Sequence, residues 1–222
     1  MTATRRFDAV LFDMDGVLVD SGPWWYEVRV AYAAAIGRPW THDDEALTMG
    51  GNSREWAGIM QRRLGLAEAD VDSIQDAIVA GVVRLYRERP APVIDDAPAH
   101  VRRIARGHAV AIASSSHPDV IEATVGALGL QGDLGAIVSS DHVPAGKPAP
   151  DVYLRAAERL GVAPGRCLVV EDSLNGVRAG KAAGMTVALI PNPSVPAAAR
   201  ADGEADHVVP SLADLDPEAL PA

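Results

Sequence analysis

A chain of 222 residues with 48% hydrophobic content can build one full-sized domain, or a core domain carrying a smaller insert. Its formal net charge of −10 argues against a nucleic-acid partner, which needs a basic face, and no stretch is apolar enough to span a bilayer. The polar stretch Met1 to Arg6 does not read as a signal peptide, and the single cysteine, Cys167, forms no internal disulfide; a cytoplasmic monomer is expected.

The first element in the chain is a short apolar strand, Phe7 to Phe12, which stops at Asp13-Met14-Asp15-Gly16. Helical spacing follows over Trp24 to Ile36, with Gly37 as its stop, and again over Ser53 to Leu64, with Ser53 as N-cap and Gly65 as stop. Between them the acidic run Asp43-Asp44-Glu45 reads as a solvated helix start. A third helix covers about Val71 to Arg87, and Pro90-Ala91-Pro92 reads as a hinge. Beyond the hinge, strands alternate with helices. His108 to Ala113, Ala136 to Ser139, Cys167 to Val170 and Thr186 to Ile190 read as strands. Pro118 to Leu128, Asp151 to Leu160 and Leu174 to Ala183 read as helices. The pattern implies an α/β fold, a Rossmann-like parallel sheet with a small α-helical cap inserted after its first strand. Residues 1–20 and 91–222 would form the core, and 21–90 the cap.

Polar residues cluster just after four of these strands: Asp13 and Asp15, then Ser114 to Ser116, then Lys147, then Glu171 and Asp172. Ligands of an open parallel sheet bind beyond the carboxyl ends of its strands, so these side chains would converge. Four carboxylates at close quarters repel, and a hard divalent cation is their natural partner. Mg²⁺ takes oxygen ligands and commonly combines one or two carboxylates with substrate phosphate oxygens. Lysine is otherwise nearly absent, with Lys181 the only other one, so Lys147 is the cation available to a transferring phosphoryl group.

The residues in this order resemble the haloacid dehalogenase-like superfamily, in its phosphatase and phosphomutase branch. Asp13-Met14-Asp15-Gly16-Val17 is similar to its first motif and Ser114 to its second. Lys147 within Gly146-Lys147-Pro148-Ala149-Pro150-Asp151 is similar to the third, and Glu171-Asp172-Ser173 to the fourth. The resemblance implies Asp13 as nucleophile and Asp15 as general acid, then general base. It implies Ser114 and Lys147 as holders of the phosphoryl group. Mg²⁺ would be bound by Asp13, the backbone carbonyl of Asp15, and Asp172, with Glu171 either a ligand or a neighbour of one. Ser115 and Ser116 would contact phosphate or cap the next helix, and His117 would lie at that helix start. In the cap, Trp25 would pack in the core or face the site. Arg54 would meet the substrate or sit exposed on its helix. Cys167 reads as a core residue.

The same residues separate the branch's chemistries. Dehalogenases of the superfamily lack the second aspartate, which Asp15 supplies here, and phosphonate-cleaving relatives use a cap lysine, which this cap lacks. β-Phosphoglucomutase-like mutases carry a cap histidine where Trp25 stands, and a loop lysine near Gly50. Asp20-Ser21-Gly22-Pro23-Trp24-Trp25 instead resembles hexose-phosphate phosphatases. The expected function is Mg²⁺-dependent hydrolysis of a small phosphate ester, most simply a sugar phosphate, with a phosphosugar mutase as the alternative. A phosphoryl-binding protein without activity would usually lack one of these carboxylates, and all are present.

Overall fold

The computed structural model describes residues 5–49, 51–66, 71–192, 201 and 203–221; Gly50 and the first four residues of the chain lie outside the described residues. Six parallel strands form one sheet in the order β3-β2-β1-β4-β5-β6. They are β1 (Ala9–Phe12), β2 (Ala109–Ser114), β3 (Ala136–Ser139), β4 (Cys167–Glu171), β5 (Thr186–Leu189) and β6 (His207–Val208). Strands β1 and β4 are buried along their whole length, as continuous apolar runs require when both faces of a parallel sheet are covered. Their side chains alternate between two cores. Val10, Phe12, Ile112 and Val170 face α5 (Ala97–Ala105) and α6 (Pro118–Leu128), while Leu11, Ala111, Cys167 and Val169 face α7 (Asp151–Leu160) and α8 (Leu174–Ala182).

Strand register brings the polar residues to a common level. Phe12 is level with Ile112 on one side and Val170 on the other, and the Asp13 N–H continues the ladder to the Val170 carbonyl at 2.9 Å. Asp13, Ser114 and Glu171 therefore leave adjacent strands at one edge. The chain builds outward through β2 and β3 and then returns to place β4 beside β1. This reversal of strand order opens the crevice that such sheets use for ligands.

Between β1 and α5, the described residues form the helices α1 (Gly22–Ala35), α2 (His42–Ala46), α3 (Ser53–Arg63) and α4 (Val71–Glu88). The chain leaves and re-enters the sheet layer through two paired segments. Val19 bridges Val93, and the Asp20 N–H donates to the Pro92 carbonyl at 2.8 Å. Edge-to-face contacts of Trp24 with Tyr86 and of Trp25 with Trp56 lock the helices together. The Ser53 N–H, at the start of α3, donates to Asp141 Oδ1 across the gap to the sheet layer at 3.0 Å.

Three expectations change. Helix α5 and strand β6 add to the expected elements, while α2 lies at the helix start expected of the acidic run. The acidic run is not simply solvated: Asp44 is buried and accepts from Arg63 Nε at 2.6 Å, and Glu45 accepts from Arg29 and Trp40. The N-cap of α3 is Asn52 rather than Ser53. The Asn52 side chain accepts from the Glu55 N–H at 3.0 Å while the Glu55 carboxylate returns to the Asn52 N–H, which makes a capping box. The Ser53 hydroxyl is buried without a hydrogen-bond partner. Asn52→Ala should accordingly lower the unfolding free energy by about 1 kcal/mol. Ser53→Ala should leave it unchanged or raise it; urea denaturation of the two variants checks the assignment.

Candidate active site

The edge beyond β1, β2 and β4 forms the floor of a cavity of about 440 Å³, and the helical insert forms its roof. Lys147 arrives from the loop before α7, and its side chain is nearly buried. Its Nζ donates to Asp13 Oδ1 at 2.6 Å and to Glu171 Oε1 at 2.6 Å. The Tyr153 hydroxyl adds a third contact, to the same Glu171 oxygen at 2.7 Å. The other oxygen of Glu171 accepts from the N–H groups of Asp172 and Ser173 and from the Ser173 hydroxyl, all at 3.0 to 3.1 Å. Glu171 is wholly buried, and both its oxygens are fully engaged by protein donors.

Two glycines make room for this packing. Gly16 has φ of +89°, and a Cβ there would fall 1.9 Å from Asp172 Oδ2. At Gly176, in the first turn of α8, a Cβ would fall 1.7 Å from Glu171 Oε1. No side chain fits at either position.

Asp15 lies two residues beyond Asp13 in a different environment. Its carboxylate accepts from the Ser116 hydroxyl at 2.7 Å and from the Ser21 hydroxyl at the mouth of the insert. Ser116 is held in turn, because its N–H donates to Ser114 Oγ at 3.0 Å and its carbonyl accepts from the Ser139 hydroxyl at 2.7 Å. Burial raises the Asp15 carboxyl above its ordinary value, and the two serine hydroxyls offset part of that rise.

The charges in the floor do not balance. Burial raises the Asp13 carboxyl well above its ordinary range; Lys147 pulls it down, while Glu171 and Asp172 push it up. Asp172 is pushed up to about 7, by burial first and by Glu171 second, although Asn192 Nδ2 donates to it at 2.9 Å. Burial also acts on Glu171, but its bonds from Lys147, Tyr153 and Ser173 hold it below its ordinary value. Asp13, Glu171 and Asp172 can each offer one oxygen within 4.8 Å of the others. A single lysine against three buried carboxylates leaves negative charge that a hard divalent cation would neutralise, so this donor set fits Mg²⁺. The oxygens of Glu171 are engaged by protein donors, while Asp13 and Asp172 line the cavity directly.

Of the residues singled out from sequence, Asp13, Asp15, Ser114, Ser115, Lys147 and Asp172 line the cavity, and Glu171 lies immediately beneath it. Trp25 does both things expected of it as alternatives, since it is packed against Trp56 and also lines the cavity. His117 caps α6 through its ring, accepting from the Asp119 N–H. Arg54 does not line this cavity. Its side chain is 74% exposed and pairs with Asp72 at 2.7 Å, which matches the exposed-helix reading. Sequence reasoning overlooked Ser21, Tyr153 and Arg29. Tyr153 follows the Lys147 motif by less than two helical turns, the one local hint that it belongs to the site.

The chain belongs to the haloacid dehalogenase-like hydrolase family, whose model matches residues 7–184. It is 33% identical over 190 residues to the fructose-1-phosphate phosphatase YqaB of Escherichia coli K12, covering 82% of this chain and 95% of that one. It is 31% identical over 196 residues to hexitol phosphatase B of the same organism, covering 87% of each. The structure superposes on that of CbbY from Rhodobacter sphaeroides in complex with phosphate, with a TM-score of 0.83 and 27% identity. That match covers 96% of this chain and all of the other.

The raised carboxyl of Asp172 has a consequence for stability. In metal-free protein the stabilisation from holding its proton is complete below the ordinary value of 3.8 and is lost as pH rises through about 7. Asp172→Asn should flatten this part of the pH profile. Thermal melts between those limits in the presence of a chelator measure it, with the wild type losing stability relative to the variant as pH rises.

Proposed function

We propose that the chain hydrolyses small sugar phosphate monoesters through a phosphorylated Asp13. The observation that carries this reading is the pair of carboxylates two residues apart in opposite settings. Asp13 is engaged by Lys147, and Asp15 is held by two serine hydroxyls; burial raises the pKa of both, and Asp13 has the cation beside it. The carboxylate beside the cation suits the nucleophile, and the one among hydroxyls suits the proton donor.

In the first step an oxygen of Asp13 attacks phosphorus as the ester P–O bond breaks. Asp15 gives its proton to the departing sugar oxygen. In the second, Asp15 takes a proton from water as that water attacks the aspartyl-phosphate, releasing inorganic phosphate and restoring Asp13. Lys147 stays protonated, because Asp13 and Glu171 outweigh the burial that opposes its charge, and it balances the phosphoryl oxygens. Ser114, Ser115 and the N–H groups at the start of α6 hold those oxygens. Mg²⁺, bound by Asp13, Asp172 and the backbone carbonyl of Asp15, would offset the repulsion between carboxylate and phosphate. Glu171 acts here as a positioning residue for Lys147 and for the turn that carries Asp172.

Residues 21–90 serve as the cap that covers the bound ester, and residues 1–20 with 91–222 as the catalytic core. The sugar phosphatase names of the two E. coli relatives support a sugar phosphate as substrate. A complete cavity built from one chain is consistent with a monomer, and the buried free thiol of Cys167 with a reducing, cytoplasmic setting.

Phosphate release with Mg²⁺ across hexose, pentose and polyol monophosphates tests the reading; the absence of turnover with all of them would contradict it. Asp13→Asn should abolish turnover while the folded structure survives. Asp15→Asn should slow sugar esters more than an aryl phosphate, whose leaving group needs no proton. Equal losses on the two would remove Asp15 from the role of acid. A hexose 1-phosphate supplied with a bisphosphate should give free sugar and phosphate; accumulation of the 6-phosphate would favour the mutase.

A further inference from the structure

The roof of the cavity holds an arginine that the mechanism does not use. Arg29 lies one helical turn after Trp25 on α1, only 5% exposed, and lines the cavity. Its guanidinium carbon is 5.0 Å from the ring centres of both Trp25 and Trp56. Its Nη1 donates to Glu45 Oε1 and, at 3.0 Å, to the Thr48 hydroxyl. Its Nε is buried and has no hydrogen-bond partner. A buried donor without an acceptor is costly, and the guanidinium that carries it belongs to a side chain lining the cavity, where a ligand oxygen can meet that guanidinium.

The charge around it says which kind of oxygen. Glu45 also lines the cavity and already neutralises Arg29. Lys147, the other cation in the lining, is occupied by Asp13 and Glu171. Asp20 adds a further carboxylate to the wall. Among the described residues the cavity therefore offers no uncommitted cation to a second phosphate. Binding one at Arg29 would compete with its pair and leave Glu45 charged and partly buried beside another anion. A hydroxyl suits the same place, because it can accept from Arg29 and donate to Glu45 while the C–H face of a sugar lies on the indole rings.

We propose that Arg29 and Glu45, walled by Trp25 and Trp56, are specificity residues that bind the uncharged, hydroxylated far end of a sugar monophosphate and exclude bisphosphates. The inference rests on the sugar phosphatase reading above and narrows its substrate class.

The test compares phosphate release by the wild-type enzyme, with Mg²⁺, from a hexose 1-phosphate and from the matching 1,6-bisphosphate. The monophosphate should have the higher kcat/KM by roughly tenfold or more. Glu45→Gln keeps the side-chain size but frees the charge of Arg29, and should narrow that preference roughly tenfold. A wild-type ratio near one would overturn the proposal whether or not any variant folds. A Glu45→Gln variant that shifts both substrates by the same factor would overturn it as well. An aryl phosphate serves as the control. If it is hydrolysed while the two sugar esters are equal, this inference alone falls; if no ester at all is hydrolysed, the phosphatase reading falls and takes this one with it.

Discussion

Lys147 stands between two buried carboxylates, 2.6 Å from Asp13 on one side and 2.6 Å from Glu171 on the other. No other described residue brings a cation to the floor of the site, and much of the local architecture serves this contact. The adjacency of β1 and β4 brings the two carboxylates to one edge. Tyr153 and the start of α8 fix Glu171 so that it faces the lysine, and Gly176 leaves the space that this fixing needs. The arrangement is electrostatically incomplete. Asp13 and Asp172 remain hard to ionise, so the site is poised for a divalent cation and a phosphate that bring opposite charges together.

Against that charged floor, Asp15 belongs to a separate small network of hydroxyls, from Ser21 and Ser116. Ser21 sits where the chain passes into the helical insert, so Asp15 is held partly by the layer that roofs the cavity. The insert adds apolar walls, Trp25 and Trp56, and a self-neutralised ion pair, Arg29 with Glu45. The floor gathers charge, and the roof adds aromatic walls around one ion pair. This division suits a hydrolase whose reacting group is constant and whose leaving group varies.

The sheet was readable from sequence because its strands are short, continuous apolar runs that end at chemically distinctive residues. Asp13 and Lys147 are 134 positions apart, and nothing local joins them; the order of the four motifs made their convergence readable. The insert was harder. Arg29 and Glu45 lie 16 positions apart on different helices, so an acidic run that caps a short helix passed for a solvated one. The helix α5 escaped notice because it is short, begins beside Pro98 and buries only Ala97, Val101 and Ile104. Arg54 had two readings from sequence, and its exposed pairing with Asp72 matches the solvent-facing one.

The central claim is that Asp13 carries the phosphoryl group, and mass spectrometry of acid-quenched enzyme tests it most directly. Protein stopped during turnover of a sugar phosphate with Mg²⁺ should show one added phosphoryl group on the peptide containing Asp13, and none in Asp13→Asn. Full turnover by Asp13→Asn, or a phosphoryl adduct confined to another peptide, would contradict it.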